Sequence, residues 1–176
     1  LEEHFSKELL EAQGRRESVI LKFDESLLWA FRASKPRRLM LNNDMDPFYY
    51  YKNAPIDVFN SGKINKSSQL AREYSVAAGL LRGFVNGDLP VSEAFDEVLM
   101  GRFLAVAQLW GSNHAEIWHN MRFYFNPITS KLEPIGFNGE IQGRIPPRQP
   151  CGQEGNTLSS QLLRDPKVYR VCKQTI

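Results

Sequence analysis

The stretch Trp110-Gly-Ser-Asn-His-Ala-Glu-Ile-Trp-His-Asn-Met-Arg-Phe-Tyr-Phe-Asn-Pro-Ile-Thr-Ser-Lys-Leu-Glu-Pro-Ile-Gly-Phe-Asn-Gly-Glu140 decides how the rest of the chain is read. It begins at the end of an apolar helix through Phe103, Leu104, Val106, Ala107 and Leu109. A polar loop follows, from Gly111 to His119. After Asn120 comes an aromatic run, Arg122 to Phe125, of the kind that favours a strand. Asn126-Pro127 opens a turn that closes near Ser130. A second run, Leu132 to Phe137, returns and ends at Asn138-Gly139. The order is helix, loop, hairpin, then a polar residue and a glycine at the hairpin's exit.

That order matches a phosphoryl-transfer device. Such chemistry asks little covalent work of a protein. It needs groups that hold a metal on the nucleotide phosphates and one that orients the nucleophile. In protein kinases a catalytic-loop Asn supplies one metal oxygen, and a hairpin leads to an Asp-Phe-Gly whose Asp supplies another. Here Asn120 stands at the loop end and Asn138 at the hairpin exit, where the two tips can converge on one ion. By spacing alone the same residues also serve as turn formers, since Asn precedes many strands and Asn-Gly is the commonest hairpin dipeptide.

The wording resembles the CotH family of atypical kinases. The residues that carry the likeness are His114-Ala115-Glu116-Ile117-Trp118-His119-Asn120, then Phe123-Tyr124-Phe125-Asn126-Pro127, then Leu132-Glu133-Pro134-Ile135-Gly136-Phe137-Asn138-Gly139. Weaker likeness runs from Glu3 to about residue 170. The resemblance implies an α+β, protein-kinase-like fold, of which this chain supplies mainly the helical lobe and the cleft floor. It implies ATP and Mg2+ as cofactors and a protein Ser/Thr as the acceptor. It sets Asn120 and residue 138 on the metal, Glu2 or Glu3 near the adenine and Lys22 toward the cleft; taken singly, Glu3 also reads as a solvated helix face and Lys22 as an edge-strand lysine. Glu140, two positions past Asn138, is a candidate to compensate in part. The family has a metal-binding Asp where this chain has Asn138. A neutral amide lacks the charge that a magnesium site usually takes from at least one carboxylate. Common kinases carry the catalytic base five positions before the loop Asn. Here that position is Ala115, flanked by His114 and Glu116, and His114 ranks first of the two as proton acceptor. His119 is read as shaping the loop.

The totals set the bounds. A chain of 176 residues is enough for one domain with a core. Its 42% apolar and 24% charged residues are ordinary for a globular protein, and a net charge of +2 gives no argument for nucleic acid or an anionic membrane. No apolar run approaches the ~20 residues of a membrane span. The opening Leu1-Glu2-Glu3-His4-Phe5 reads like the inside of a domain, so the nucleotide-gripping strands and their lysine are expected upstream. Cys151 and Cys172 can form one disulfide or stay as two buried thiols.

Taken in order, residues 1–33 form the expected lobe junction, 34–67 a loop-rich insertion and 68–176 the helical lobe with its hairpin. Residues 2–13 read as an amphipathic helix ended by Gly14, and Val19 to Phe23 as a strand. The insertion holds Phe48-Tyr49-Tyr50-Tyr51 and no predicted element. Asp44 and Asp46 lack the Gly and Glu offsets of a calcium loop. Residues 68–86 form a periodic helix ended at Asn86-Gly87-Asp88; Ser92 is read as the next cap, and a helix runs through Leu99, Phe103, Val106 and Leu109. A Pro-rich connection from Gly143 to Pro150 precedes a last helix from Thr157 or Ser159, interrupted at Asp165-Pro166. There is no GxSxG, HExxH, Walker loop or dinucleotide fingerprint, and His4, His114 and His119 are a poor zinc set. Two functions stand: an ATP- and magnesium-dependent protein kinase of the CotH kind, and a pseudokinase or surface interaction module. A cell-envelope, secreted or spore-associated location is implied by resemblance only, and the sequence identifies neither the substrate nor an oligomeric state.

Overall fold

Apolar residues at helical spacing give the chain its helices. The computed structural model describes residues 7–34, 51–139, 151–153 and 155–176. In it they form α1 (Lys7–Ala12), α2 (Ser26–Ser34), α3 (Ser61–Ile64), α4 (Ser68–Asn86), α5 (Val91–Ala94), α6 (Glu97–Leu109), α7 (Leu158–Leu163) and α8 (Pro166–Thr175). Runs rich in β-branched and aromatic residues form β1 (Ile20–Phe23), β2 (Ile56–Val58), β3 (Arg122–Asn126) and β4 (Lys131–Ile135). The architecture is α+β. None of the helices among the described residues is long and apolar enough to cross a membrane.

Most helix ends are set by local chemistry. The Ser67 hydroxyl accepts the Leu70 N–H at 3.3 Å and starts α4; Gly87, at φ +87°, ends it in a conformation that costs glycine nothing. Ser92 lies inside α5, whose N-cap is Pro90, and Asp96 starts α6, its carboxylate accepting from Val98 and Leu99 at 3.0 and 2.9 Å. Thr157 starts α7, and Asp165 with Pro166 in the first turn starts α8.

The sheet runs β2-β1-β3-β4, antiparallel throughout. Its side chains alternate between faces with period two. Leu21, Phe23, Phe123, Phe125 and Leu132 enter the main core with α4, α6 and α8. The rings of Phe84, Phe95 and Phe123 meet edge to face, with centroids 4.9 and 5.5 Å apart. Ile20, Tyr124 and Ile135 turn to the opposite face, where Leu10 of α1 and Phe59 cover them.

Several expectations are corrected. Within the loop-rich insertion, residues 51–67 hold a 3-10 turn, β2 and α3. β2 was hidden because three residues are too short for a periodic signal, and its pairing with β1 supplies what propensity does not. The sequence reading assigned no element to α2. β4 ends at Ile135, two residues short of Phe137. Along α6 the expected stripe fails at Val106 and Leu109, which are 49% and 44% exposed. The buried side is Met100, Gly101, Leu104, Ala105 and Ala107. The reason is α8: it lies so close that a Cβ on Gly101 would stand 2.8 Å from the Val168 carbonyl oxygen and 2.8 Å from the Val171 Cβ. Small residues decide the buried face there. The open choice for the cysteines is also decided, because Cys151 and Cys172 form a disulfide, both residues almost wholly buried.

Two outcomes follow from this packing. Gly101→Ala forces α8 away from α6 and is expected to cost about 1–3 kcal/mol in a urea melt, the usual scale for overpacking. The double variant Cys151→Ser/Cys172→Ser releases a loop of 21 residues and is expected to lose about 3 kcal/mol by the same measurement.

Candidate functional site

The hairpin is built as its turn chemistry dictates. Asn126 accepts the Ile128 and Thr129 N–H groups on its side-chain oxygen at 2.9 and 3.4 Å, and its carbonyl takes the Ser130 N–H at 2.8 Å. Ser130 closes the turn at φ +55°. Pairing then runs Asn126 to Lys131 through Arg122 to Ile135. Past Ile135 the chain leaves the sheet. Asn138 takes the left-handed conformation, φ +50°, which asparagine tolerates better than most residues.

The loop before the hairpin folds on itself. Residues Asn113–Glu116 make a 3-10 turn. The Asn120 side chain, 5% exposed, donates its amide N–H to the His114 carbonyl at 2.9 Å, and the same nitrogen lies 3.4 Å from His114 Nδ1. His119 Nδ1 lies 2.9 Å from Glu25 Oε2, which also accepts the Trp29 indole N–H at 2.8 Å. Burial pulls the His119 pKa below its ordinary value; Glu25 opposes that, while Arg32, Arg122 and His114 add to it. The ring therefore stays neutral at physiological pH.

Arg122 ties this loop to the hairpin exit. Its guanidinium donates to the carbonyls of His119 and Met121 at 2.6 and 3.1 Å. It lies 4.5 Å from the centroid of Phe137 and 5.6 Å from that of Phe59. Arg122 is 5% exposed, and burial lowers its pKa, yet an arginine keeps its proton. Carbonyl dipoles and two ring faces replace the water it has lost.

Two clefts flank the exit segment, and Gly136, Phe137 and Asn138 line both. One, of about 350 Å³, lies on the sheet face away from the main core and is walled by α1, Arg15, Tyr124 and Glu133. The other, of about 360 Å³, is lined by Phe103, Val106, Ala107 and Trp110 of the α6 side. Both fall in the range of small-molecule sites.

The expected site residues divide accordingly. Asn138 borders both clefts; Asn120 lines neither and is turned to His114. His114 is half-buried beside Asn120. Glu116 faces the helices instead: Gln108 of α6 donates to its carboxylate at 3.3 Å and Ser159 of α7 to its carbonyl at 3.1 Å. Lys22 is paired with Asp57 at 3.4 Å, over the Phe59 ring, and does not line the larger clefts. Glu3 and Glu140 lie outside the described residues, as does the Gly143 to Pro150 connection. Among the described residues, no three His, Cys, Asp or Glu side chains cluster as a metal site would require.

Sequence reasoning missed Glu25, Arg15, Arg122 and Glu133. Glu25 meets His119 across 94 positions, and no local pattern announces such a pair. A charged residue within a strand was the available signal: Arg122 heads the aromatic run of β3, and Glu133 stands between Leu132 and Pro134 in β4.

Because the folded His119 resists protonation, its contribution to stability is fully present above its ordinary pKa of about 6.5 and falls as the pH drops below that value toward its lower folded pKa. His119→Gln is expected to flatten this part of the stability-pH curve, as read by thermal melts between pH 7.5 and 5. Comparison of the chain with protein-family models, with curated proteins and with solved structures finds no match.

Proposed function

We propose that the chain supplies the nucleotide-cleft floor of a CotH-like, protein-kinase-like phosphotransferase, with ATP as donor and a protein Ser/Thr as acceptor. One observation carries this reading. Asn138, at the hairpin exit, lies on the wall common to two ligand-sized clefts, where a transferred group would pass between donor and acceptor. The sequence likeness from His114 to Gly139 supports it, as does the hairpin that leads to that wall.

The roles differ from those expected of a strong kinase. Asn120 braces the loop through His114, and Arg122 holds that loop against Phe137. Glu116 is engaged by the helices, which leaves His114 as the candidate proton acceptor, although it lines neither cleft. Magnesium would neutralise phosphate charge in such a site. The described donors do not fit a firmly held magnesium ion: Asn120 is turned away from the clefts, and Asn138 offers only a neutral amide. That mismatch favours the second reading, a pseudokinase or surface interaction module that keeps the cleft and has weak metal chemistry. The buried disulfide supports an oxidising compartment for either, in keeping with an envelope, secreted or spore-associated protein.

Asn138→Asp separates the two. If the phosphotransfer reading holds, the variant, in a chain extended upstream of Leu1, gains a magnesium-dependent stabilisation by ATP. At about 100 times the dissociation constant this amounts to ~2.7 kcal/mol, or roughly 5–10 °C in melting temperature, and exceeds the shift of the unaltered protein. Absence of any magnesium-dependent shift in both proteins rejects phosphotransfer and leaves the interaction module.

A further inference from the structure

The cleft on the outer sheet face has a feature that the phosphotransfer roles do not use. Its wall contains an ion pair, Arg15 with Glu133. Glu133 is 4% exposed; its other oxygen accepts the Asn126 amide at 2.7 Å. The Arg15 guanidinium lies over the Tyr124 ring, 5.5 Å from its centroid, and Tyr124 stands opposite Glu133 across the β3–β4 pairing. The Tyr124 hydroxyl donates to the Arg16 carbonyl at 2.8 Å, so the loop between α1 and β1 is already anchored without the ion pair.

A buried ion pair is a poor stabiliser, because desolvation consumes most of the attraction, and apolar side chains would close the same gap at least as well. Here the pair borders a cleft, and the Arg15 side chain keeps 30% of its surface exposed. The charge of Arg15 is cancelled by Glu133. What the cleft meets is a charge-compensated guanidinium, a planar and polarisable group, above an aromatic ring. Such a plane suits an uncharged heterocycle stacked on it, and it does not suit a phosphate. Gln13 lines the same cleft with a donor and an acceptor on one amide, the pattern that matches the edge of a nucleobase. From Glu133 to Asn138 the wall runs six residues, so the Arg15–Glu133 pair and Asn138 stand at different places along it. That offset sets a base at one end and phosphates at the other.

We infer that Arg15, held between Tyr124 and Glu133, is the nucleobase-stacking platform of this cleft, with Gln13 reading the base edge and the phosphates directed toward Asn138. This deepens the nucleotide reading above and rests on it.

The probes are adenosine and inorganic tripolyphosphate, each titrated without metal by isothermal calorimetry, followed by ATP with magnesium. Arg15→Lys keeps the charge that Glu133 needs and removes the plane; it is expected to weaken adenosine binding about tenfold and to leave tripolyphosphate unchanged. Gln13→Ala, at an exposed position, is expected to weaken adenosine about threefold. Melting curves of both variants check that the fold is intact. Adenosine affinity unmoved by both substitutions, or tripolyphosphate binding without adenosine binding, overturns the platform and spares the nucleotide reading. Adenosine binding that depends on Arg15, with no magnesium-dependent effect of ATP even in Asn138→Asp, upholds the platform and removes phosphotransfer. Binding of none of the probes overturns both.

Discussion

The antiparallel pairing of β1 with β3 is the interaction on which the site depends. It sets Ile20 opposite Tyr124 and Lys22 opposite Arg122, joining the start of the chain to the hairpin. Closing so long a loop costs conformational entropy, though the cost grows only slowly with length. The return is aromatic burial: Phe23 meets both Phe123 and Trp118 edge to face within the core. The same register governs the outer face. It brings the loop before β1 to the hairpin, so that Arg15 reaches Glu133 and Tyr124 reaches the Arg16 carbonyl. A one-residue slip would exchange the two faces and dissolve the cleft wall.

Arg122 adds a second constraint. A charged group this deeply buried is stable only where polar or aromatic partners replace its hydration. Its partners are loop carbonyls on one side and Phe137 on the other. One side chain thus couples the segment that carries Asn120 to the segment that carries Asn138. The loop also touches the helices, through Glu116 with Gln108 and Ser159, and the exit segment touches the loop where Ser112 donates to the Gly139 carbonyl. Gln108 continues that chain by accepting the Cys151 N–H at 2.5 Å, beside the disulfide to α8. The site is therefore braced from the sheet and from the helices at once.

The chemistry of the cleft is uneven along its length. The Arg15 end is built from a compensated ion pair and a ring, a surface suited to planes and edges. The Asn138 end carries an amide on left-handed backbone and no described carboxylate. Recognition of a heterocycle asks for shape and polarisability, whereas holding a divalent cation asks for negative charge. The structure is better supplied with the first than with the second, and that difference is why binding and transfer separate as questions for this protein.

Much of the fold was legible in residues read in order. The periodicity of Leu70 to Phe84, the Gly87 stop, the Asn126-Pro127 turn and the Asp165-Pro166 restart are local signals, and each element stands where they put it. These features depend on neighbours within a few positions, so the chain's own wording determines them. The partners of Glu25, Arg15 and Cys151, the strand at Ile56–Val58 and the buried side of α6 depend on groups far away in sequence. Only tertiary structure decides them, because burial, register and close helix approach are properties of packed surfaces. Asn120 shows the division well: its place before β3 was readable, but its amide turned inward to His114 because the folded loop offered a carbonyl where water could not reach.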